Sequence, residues 1–256
     1  MVRRLAWLTV GAFALLLPLA LLRMNAWPVV DAPITAAFNQ FARRSETLDT
    51  LARRGMELYS MKGLAALALV YAAFVDARTV SARRMLVAAA VGACISGLAS
   101  RAAQIVLPRL PRPLVDPAMH FTAPYGMEDD GIGHWNSFPS DTAALLFGLA
   151  AAILIVNRRW GLVALAIAVL AGLLRIYCGR HYPTDILAGA ALGAGFALGF
   201  ATLAAKWQAS ARVTELFMRW RGALAALAFF FAGHAAMQFN EPRAIATQIV
   251  QLFAHL

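Results

Sequence analysis

Arg175, His181 and Asp185 share one short stretch, with five residues between the first two and three between the last two, where one apolar segment ends and another begins. An Arg offers a planar fork of donors that matches the oxygens of a phosphate. A His supplies a nucleophile or an acid/base near neutral pH, and an Asp beside an imidazole fixes its tautomer. Together the three can handle a phosphate. Pro183 suits the first position of the following helix, which puts Asp185 in its first turn, within reach of His181. The same spacing also suits a helix cap beside a solvated imidazole, so the triad alone does not decide between the two.

Two further clusters lie in the long connection before the fourth apolar run. In Pro108-Arg109-Leu110-Pro111-Arg112-Pro113 the prolines stiffen the chain into an extended path. That path holds Arg109 and Arg112 at set positions, although a membrane-exit loop with solvated arginines would read the same way. In Ser137-Phe138-Pro139-Ser140-Asp141-Thr142 either Ser140 or Asp141 is a good N-cap. A capped helix start also presents free N–H groups and the positive end of the helix dipole, which together form an anion site. A phosphate seated on Ser140, Asp141 and Thr142 would be bridged to Arg112 and Arg175 from two other loops. His120 and His134, in the same connection, are surface histidines or proton donors. Glu128, Asp129 and Asp130 read as solvated loop charge.

The elements that must position these groups are membrane helices. Hydrophobic residues make up 61% of the chain and charged ones 14%, which excludes a soluble domain. Spanning the hydrocarbon core takes roughly 17 to 25 apolar residues. Six runs qualify, at residues 5–22, 57–76, 85–107, 142–157, 160–177 and 185–205, with a weaker seventh at 222–238. The first is read as a retained helix, because no small-residue cleavage site clearly follows Leu22. The expected fold is an all-α polytopic bundle of six core spans, with a seventh left open and interfacial amphipathic helices. Three regions follow: residues 1–84 with the N-terminal spans, 85–206 with the three motifs, and 207–256 with the weak span and a tail. In that tail Ile245, Ile249, Leu252, Phe253 and Leu256 share a helical face.

If six helices alternate, Arg3, Arg4, Arg78, Arg83, Arg84, Arg158, Arg159, Lys206, Arg212, Arg219 and Arg221 fall on one side, which the inside bias of basic loops makes cytoplasmic. The triad then faces the extracytoplasmic side. Against this, residues 31–62 carry Arg43, Arg44, Arg53, Arg54 and Lys62 on the triad's side. With Ile34, Phe38, Phe41, Leu48 and Leu51 at helical spacing, they read as interfacial helices meeting anionic headgroups. The net charge of +10 is spread over loop ends, which argues against nucleic acid as a partner. Gly189 with Gly193, and Gly195 with Gly199, repeat the small-xxx-small spacing of close helix contacts. Cys94 and Cys178 read as buried small hydrophobes, and His234 and His255 as structural.

Arg112-Pro113, then Pro139-Ser140-Asp141-Thr142, then Arg175-x5-His181-x3-Asp185, set among membrane helices, resemble the type 2 phosphatidic acid phosphatases, whose site is shared with vanadium haloperoxidases. The resemblance covers about residues 101–199, and its third motif is the strongest. It implies that His181 attacks phosphorus and forms a phosphohistidine, and that Asp185 orients the imidazole. Arg112, Arg175, Ser140 and the N–H groups of the 140–142 turn would hold the oxygens, with neither metal nor cofactor. Three positions depart from the family pattern. Leu174 replaces a Ser that often precedes the Arg. Ile105 stands where a Lys is usual, a charge that Arg109 or Arg101 would have to supply. Thr142 stands where a His is expected to protonate the leaving group, work worth about 10²- to 10⁴-fold in rate. His120 or His134 could replace that acid, or the leaving group could need little protonation. The latter favours a polyprenyl diphosphate of the undecaprenyl kind as substrate. The alternatives are a lipid-to-lipid phosphotransferase and a catalytically impaired lipid-phosphate binder.

Overall fold

The computed structural model describes residues 1–127 and 135–206. Among these residues there is no strand, and the helices in chain order are α1 (Val2–Ala14), α2 (Leu16–Asn25), α3 (Trp27–Asn39), α4 (Glu46–Glu57), α5 (Tyr59–Asp76), α6 (Val80–Val106), α7 (Asp141–Val156), α8 (Arg158–Tyr177) and α9 (Pro183–Lys206). The described chain divides into two compact units. Met1–Glu57 with Leu69–Lys206 forms one, and Leu58–Ala68 belongs to the other.

Polar residues set the helix ends. Thr79 Oγ1 accepts from Ala82 N at the start of α6 (3.1 Å), and Asn157 Oδ1 accepts from Arg159 N and Trp160 N at the start of α8 (3.0 and 3.2 Å). Helix α6 stops at Leu107, the residue before Pro108, where the following ring disfavours helical backbone. Among the described residues four helices are long and apolar enough to cross a membrane: Val2–Asn25, which is α1 and α2 together, then α6, α8 and α9. Glu46–Glu57 and Lys62–Asp76 qualify only as a pair, and α7, at 16 residues, is shorter than a full span. The protein is therefore an all-helical, multi-pass membrane bundle. The expected seventh run at 222–238 and the amphipathic tail lie outside the described residues.

Helices α7 and α9 form the centre of the first unit, and glycines set how closely they approach. A Cβ on Gly193 would strike the Ala144 carbonyl oxygen, and one on Gly189 the Ser140 carbonyl oxygen. The second glycine pair faces elsewhere: a Cβ on Gly195 would meet the Phe13 ring of α1 at 2.9 Å, and one on Gly199 would meet Thr9 at 3.5 Å. The two small-residue stripes of α9 thus serve two partners, α7 with one and α1 with the other. Leu5, Leu86, Ile153 and Ala197 fill the core between these helices and α6.

The interfacial segment folds as α3 and α4. Helix α4 buries Asp49, Ala52 and Met56 and leaves Leu48 and Leu51 exposed. Asp49 accepts from the Arg43 and Tyr125 amides (2.9 Å each) and from the Tyr177 hydroxyl, which pins α4 to the end of α8 and to the loop after α6. At the opposite end of the unit Asp76 accepts from Asn157 Nδ2 and Trp160 Nε1 (3.2 and 2.8 Å).

Candidate active site

The site forms where the C-terminal ends of α2, α6 and α8 meet the N-terminal ends of α7 and α9. His181 and Asp185 are fully buried there, and Arg112, Arg175, Ser140 and Thr142 are buried beside them. Pro183 opens α9, as its sequence position predicts, with Asp185 in the first turn.

The imidazole is held by an unexpected partner. Nδ1 of His181 lies 2.9 Å from the Ser137 carbonyl oxygen, which can only accept, so Nδ1 donates and Nε2 carries the lone pair. Among the described residues Nε2 is buried and has no hydrogen-bond partner. Asp185 Oδ2 is 3.7 Å from Nδ1, beyond hydrogen-bond reach, and acts on the ring through its charge. The carboxylate takes its bonds elsewhere: Oδ2 accepts from Ser137 Oγ and the Tyr182 amide (2.8 Å each), and Oδ1 accepts from Arg23 Nε (3.2 Å). Ser137 is therefore the hinge of the arrangement, joining Asp185 through its hydroxyl and His181 through its carbonyl.

The electrostatics keep the ring neutral. Burial lowers the His181 pKa to about 4; Arg112 and Arg175 push in the same direction, and Asp185 opposes them. Burial likewise lowers Arg112, to about 10, with nearby Asp141 and Asp185 opposing, so the guanidinium is charged at neutral pH. Its fork donates to the Arg180 carbonyl at 3.2 Å and lies 3.5 Å from the carbonyls of Trp135 and Asn136. Arg180, also buried, brings a third cation to this end of the bundle.

The three motifs are knitted together by backbone bonds. Ser137 N donates to Leu110 O (3.0 Å), Leu114 N to Gly179 O (2.9 Å) and Ser140 N to Asp185 O (3.0 Å). The side chain of Asn136 bridges the first two segments, with Oδ1 accepting from the Leu110 and Phe138 amides and Nδ2 donating to the Leu107 and Pro108 carbonyls. Ser140 caps α7 as expected, its Oγ accepting from Ala143 N at 3.4 Å. Asp141 Oδ1 accepts the Thr142 amide at 2.7 Å. In this state the amides of Ser140, Thr142 and Ala143 are thus engaged within the protein.

The remaining expected residues divide. Arg109 and His120 are exposed, and His134 lies outside the described residues. Ile105 is 72% exposed on the outer face of α6. Arg101 is on the inner side, stacked 3.9 Å over the Trp135 ring and donating to Gln104 Oε1 at 2.8 Å. Gln104 and Ser100 in turn both donate to the Pro139 carbonyl (2.6 and 3.0 Å) and anchor the second motif to α6. Cys178 is buried, and burial pushes its thiol up to about 12. Sequence reasoning missed Ser137 as a ligand of the imidazole, Asn136 as a brace and Arg23 altogether. The signal available for Arg23 was a cation at the end of the first apolar run, which is expensive unless paired.

A multi-pass helical bundle that gathers a buried His–Asp pair and several arginines at one end is a membrane protein of a recognisable class. Residues 82–209, half of the sequence, match the PAP2 superfamily, and the chain belongs to that family. Curated relatives match over shorter stretches. The chain is 43% identical over 58 residues to the bacitracin transport permease protein BcrC of Bacillus licheniformis, covering 23% of this chain and 29% of that protein. It is 37% identical over 68 residues to a lipid A 1-phosphatase of Rhizobium johnstonii, covering 26% and 28%. It is 34% identical over 77 residues to the undecaprenyl-diphosphatase BcrC of Bacillus subtilis, covering 30% and 36%. The matched stretches thus span about three tenths of these relatives. A crystal structure of a transmembrane PAP2-type phosphatidylglycerolphosphate phosphatase from Bacillus subtilis shares the fold, with a TM-score of 0.54 and 22% identity over 78% of this chain and 97% of its own.

Proposed function

We propose that this protein is a lipid phosphatase of the bacterial inner membrane, removing a phosphate from a lipid diphosphate at the extracytoplasmic face, with a polyprenyl diphosphate as the favoured substrate. The observation that carries this reading is the tautomer of His181: Nδ1 is spent on Ser137, and the basic Nε2 is buried without a hydrogen-bond partner among the described residues, on a ring that feels the charges of Arg112 and Arg175. In the proposed reaction Nε2 attacks the terminal phosphorus, the bond to the bridging oxygen breaks, and the lipid monophosphate leaves with the electron pair. Nδ1 remains protonated, and Asp185 stabilises the positive ring. Water then attacks the phosphohistidine and releases inorganic phosphate. The arginines stabilise charge on the transferred group, the dominant requirement of phosphoryl transfer.

Thr142 narrows the substrate. Its hydroxyl is too weak an acid to protonate an alkoxide, so a leaving group that is itself a phosphate suits this site better than the alcohol of a monoester. The names of two relatives, an undecaprenyl-diphosphatase and a lipid A 1-phosphatase, support the lipid class.

Charge distribution supports the face. Arg3, Arg4, Arg83, Arg84, Arg158, Arg159 and Lys206 sit at the helix ends away from the site, as the inside bias requires of a cytoplasmic side. Arg43, Arg44, Arg53 and Arg54, on α4 and the turn before it, are at the site end and would meet anionic headgroups.

The test is phosphate release by the detergent-purified protein from undecaprenyl diphosphate, phosphatidic acid and phosphatidylglycerol phosphate, with His181→Ala alongside. Release from the diphosphate that disappears in the variant is expected. If all three lipids bind but none is hydrolysed, the protein is a lipid-phosphate binder, the reading that Thr142 and Ile105 would then favour.

A further inference from the structure

Arg23 lies in no motif, yet it is 1% exposed and touches each motif segment. It ends the first span, in the last turn of α2. Its Nε donates to Asp185 Oδ1 (3.2 Å), and one terminal nitrogen donates to Pro111 O (3.0 Å) and lies 3.4 Å from Ser137 Oγ. Its guanidinium carbon is stacked 4.2 Å from the centre of the Tyr182 ring. Those partners come from the loop carrying Arg112, the loop carrying Ser140 and the turn carrying His181. A buried guanidinium without partners would be costly, and this one is satisfied only when all three segments are in place.

The geometry of Asp185 gives that contact a consequence. Both of its other hydrogen-bond donors, Ser137 Oγ and Tyr182 N, sit on Oδ2, so Arg23 is what holds Oδ1. Without it Oδ1 loses that partner, the carboxylate can turn about the two bonds on Oδ2, and Ser137, whose carbonyl accepts from Nδ1 of His181, can shift with it. We propose that Arg23, supplied by the first membrane span, is a positioning residue that locks the Asp185–Ser137–His181 chain with Nε2 aimed at the phosphate. Asp31 on α3 braces the adjacent residue in a parallel way, accepting from the amide and hydroxyl of Thr184 (2.9 and 2.6 Å). The catalytic consequence rests on the reading of His181 as nucleophile; the positioning itself does not.

The experiment compares wild type, Arg23→Ala and Arg23→Lys in detergent by two readouts: turnover of undecaprenyl diphosphate, and the ¹⁵N spectrum of histidine-labelled protein, with the His181 signals assigned by their loss in His181→Ala. Arg23→Ala is expected to lower kcat about 100-fold, the cost of a misaligned reacting group, with KM little changed. Lysine, or guanidinium ion added to the alanine variant, should restore much of the rate. In the spectra the Nδ1–H tautomer of His181 should give way to a mixture in Arg23→Ala and return in Arg23→Lys. An unchanged kcat, or a loss that neither lysine nor guanidinium reverses, overturns the proposal, as does an unchanged His181 spectrum. If wild type hydrolyses nothing but the tautomer still follows Arg23, the phosphatase reading fails and the positioning role stands.

Discussion

At His181, the proposed nucleophile, burial and charge act on one ring, and pH exposes both. The native His181 pKa of about 4 lies below the ordinary 6.5, so between those values the unfolded chain binds a proton that the folded one refuses. Stability from this group is complete above pH 6.5 and is lost as pH falls towards 4. Thermal melts from pH 7 to 4 should show a loss in wild type that is smaller in His181→Asn. The acid limb of kcat/KM for the free enzyme should lie near 4 and not near 6.5, because the ring keeps its lone pair down to that pH. Asp185→Asn should lower turnover by about 10³- to 10⁴-fold while leaving lipid binding intact, since the amide removes the charge that stabilises the imidazolium. Thr142→His should raise phosphate release from phosphatidic acid by about 10-fold or more and change release from undecaprenyl diphosphate little, the difference reflecting which leaving group needs a proton. Much of the candidate site was legible in the chain, because Arg112, Ser140, Arg175, His181 and Asp185 announce themselves by type and spacing, and the fold buries them. Arg23 was not, because its pairing with Asp185 crosses 162 residues and depends on how the first span packs.

Among the elements, α9 carries both Asp185 of the candidate site and the packing stripe, one helical turn apart. Gly189 lets α9 close on the Ser140 carbonyl, and the same closeness allows Ser140 N to bond Asp185 O. Gly189→Ala should therefore reduce turnover by more than its melting temperature suggests, whereas Gly193→Ala, deeper in the α7 contact, should lower both. Gly199→Ala meets only an ordinary contact with Thr9 and should change neither. Turnover and melting measured on the three variants separate these outcomes. The stripe was readable from the sequence as two glycine pairs, but its division between α7 and α1 was not, because a repeat of small residues does not name the helix that approaches it. The capped start of α7 was equally plain, while the spending of its amides on Asp185 and Asp141 appeared only with the tertiary structure.

At the scale of the molecule, the first unit carries the candidate site at one end and the helix termini with Arg3, Arg4, Arg83, Arg84, Arg158, Arg159 and Lys206 at the other. In a Cys94→Ala, Cys178→Ala background, a membrane-impermeant maleimide added to intact cells should label His120→Cys and spare Arg159→Cys until the membrane is opened. The reverse pattern would place the site in the cytoplasm. Polytopic class followed from composition, and the placement of arginines is the basis of the proposed orientation. The count of full spans did not, because apolar runs such as residues 142–157 look like spans whatever their length in the fold.

That short helix bears on the energetics of reaching the site. At 16 residues α7 is about 24 Å long, less than the ~30 Å of a bilayer's hydrocarbon core. A helix of that length with one end at the boundary of the core would stop about 6 Å short of the other boundary. A lipid phosphate meeting His181 at that depth would keep its tail in the bilayer. Pulling that tail into water would cost about 0.8 kcal/mol for every methylene exposed. For a long polyprenyl chain, the proposed substrate, that cost would exceed anything a few arginines could return, so the proposed turnover without a lipid carrier would call for a short α7.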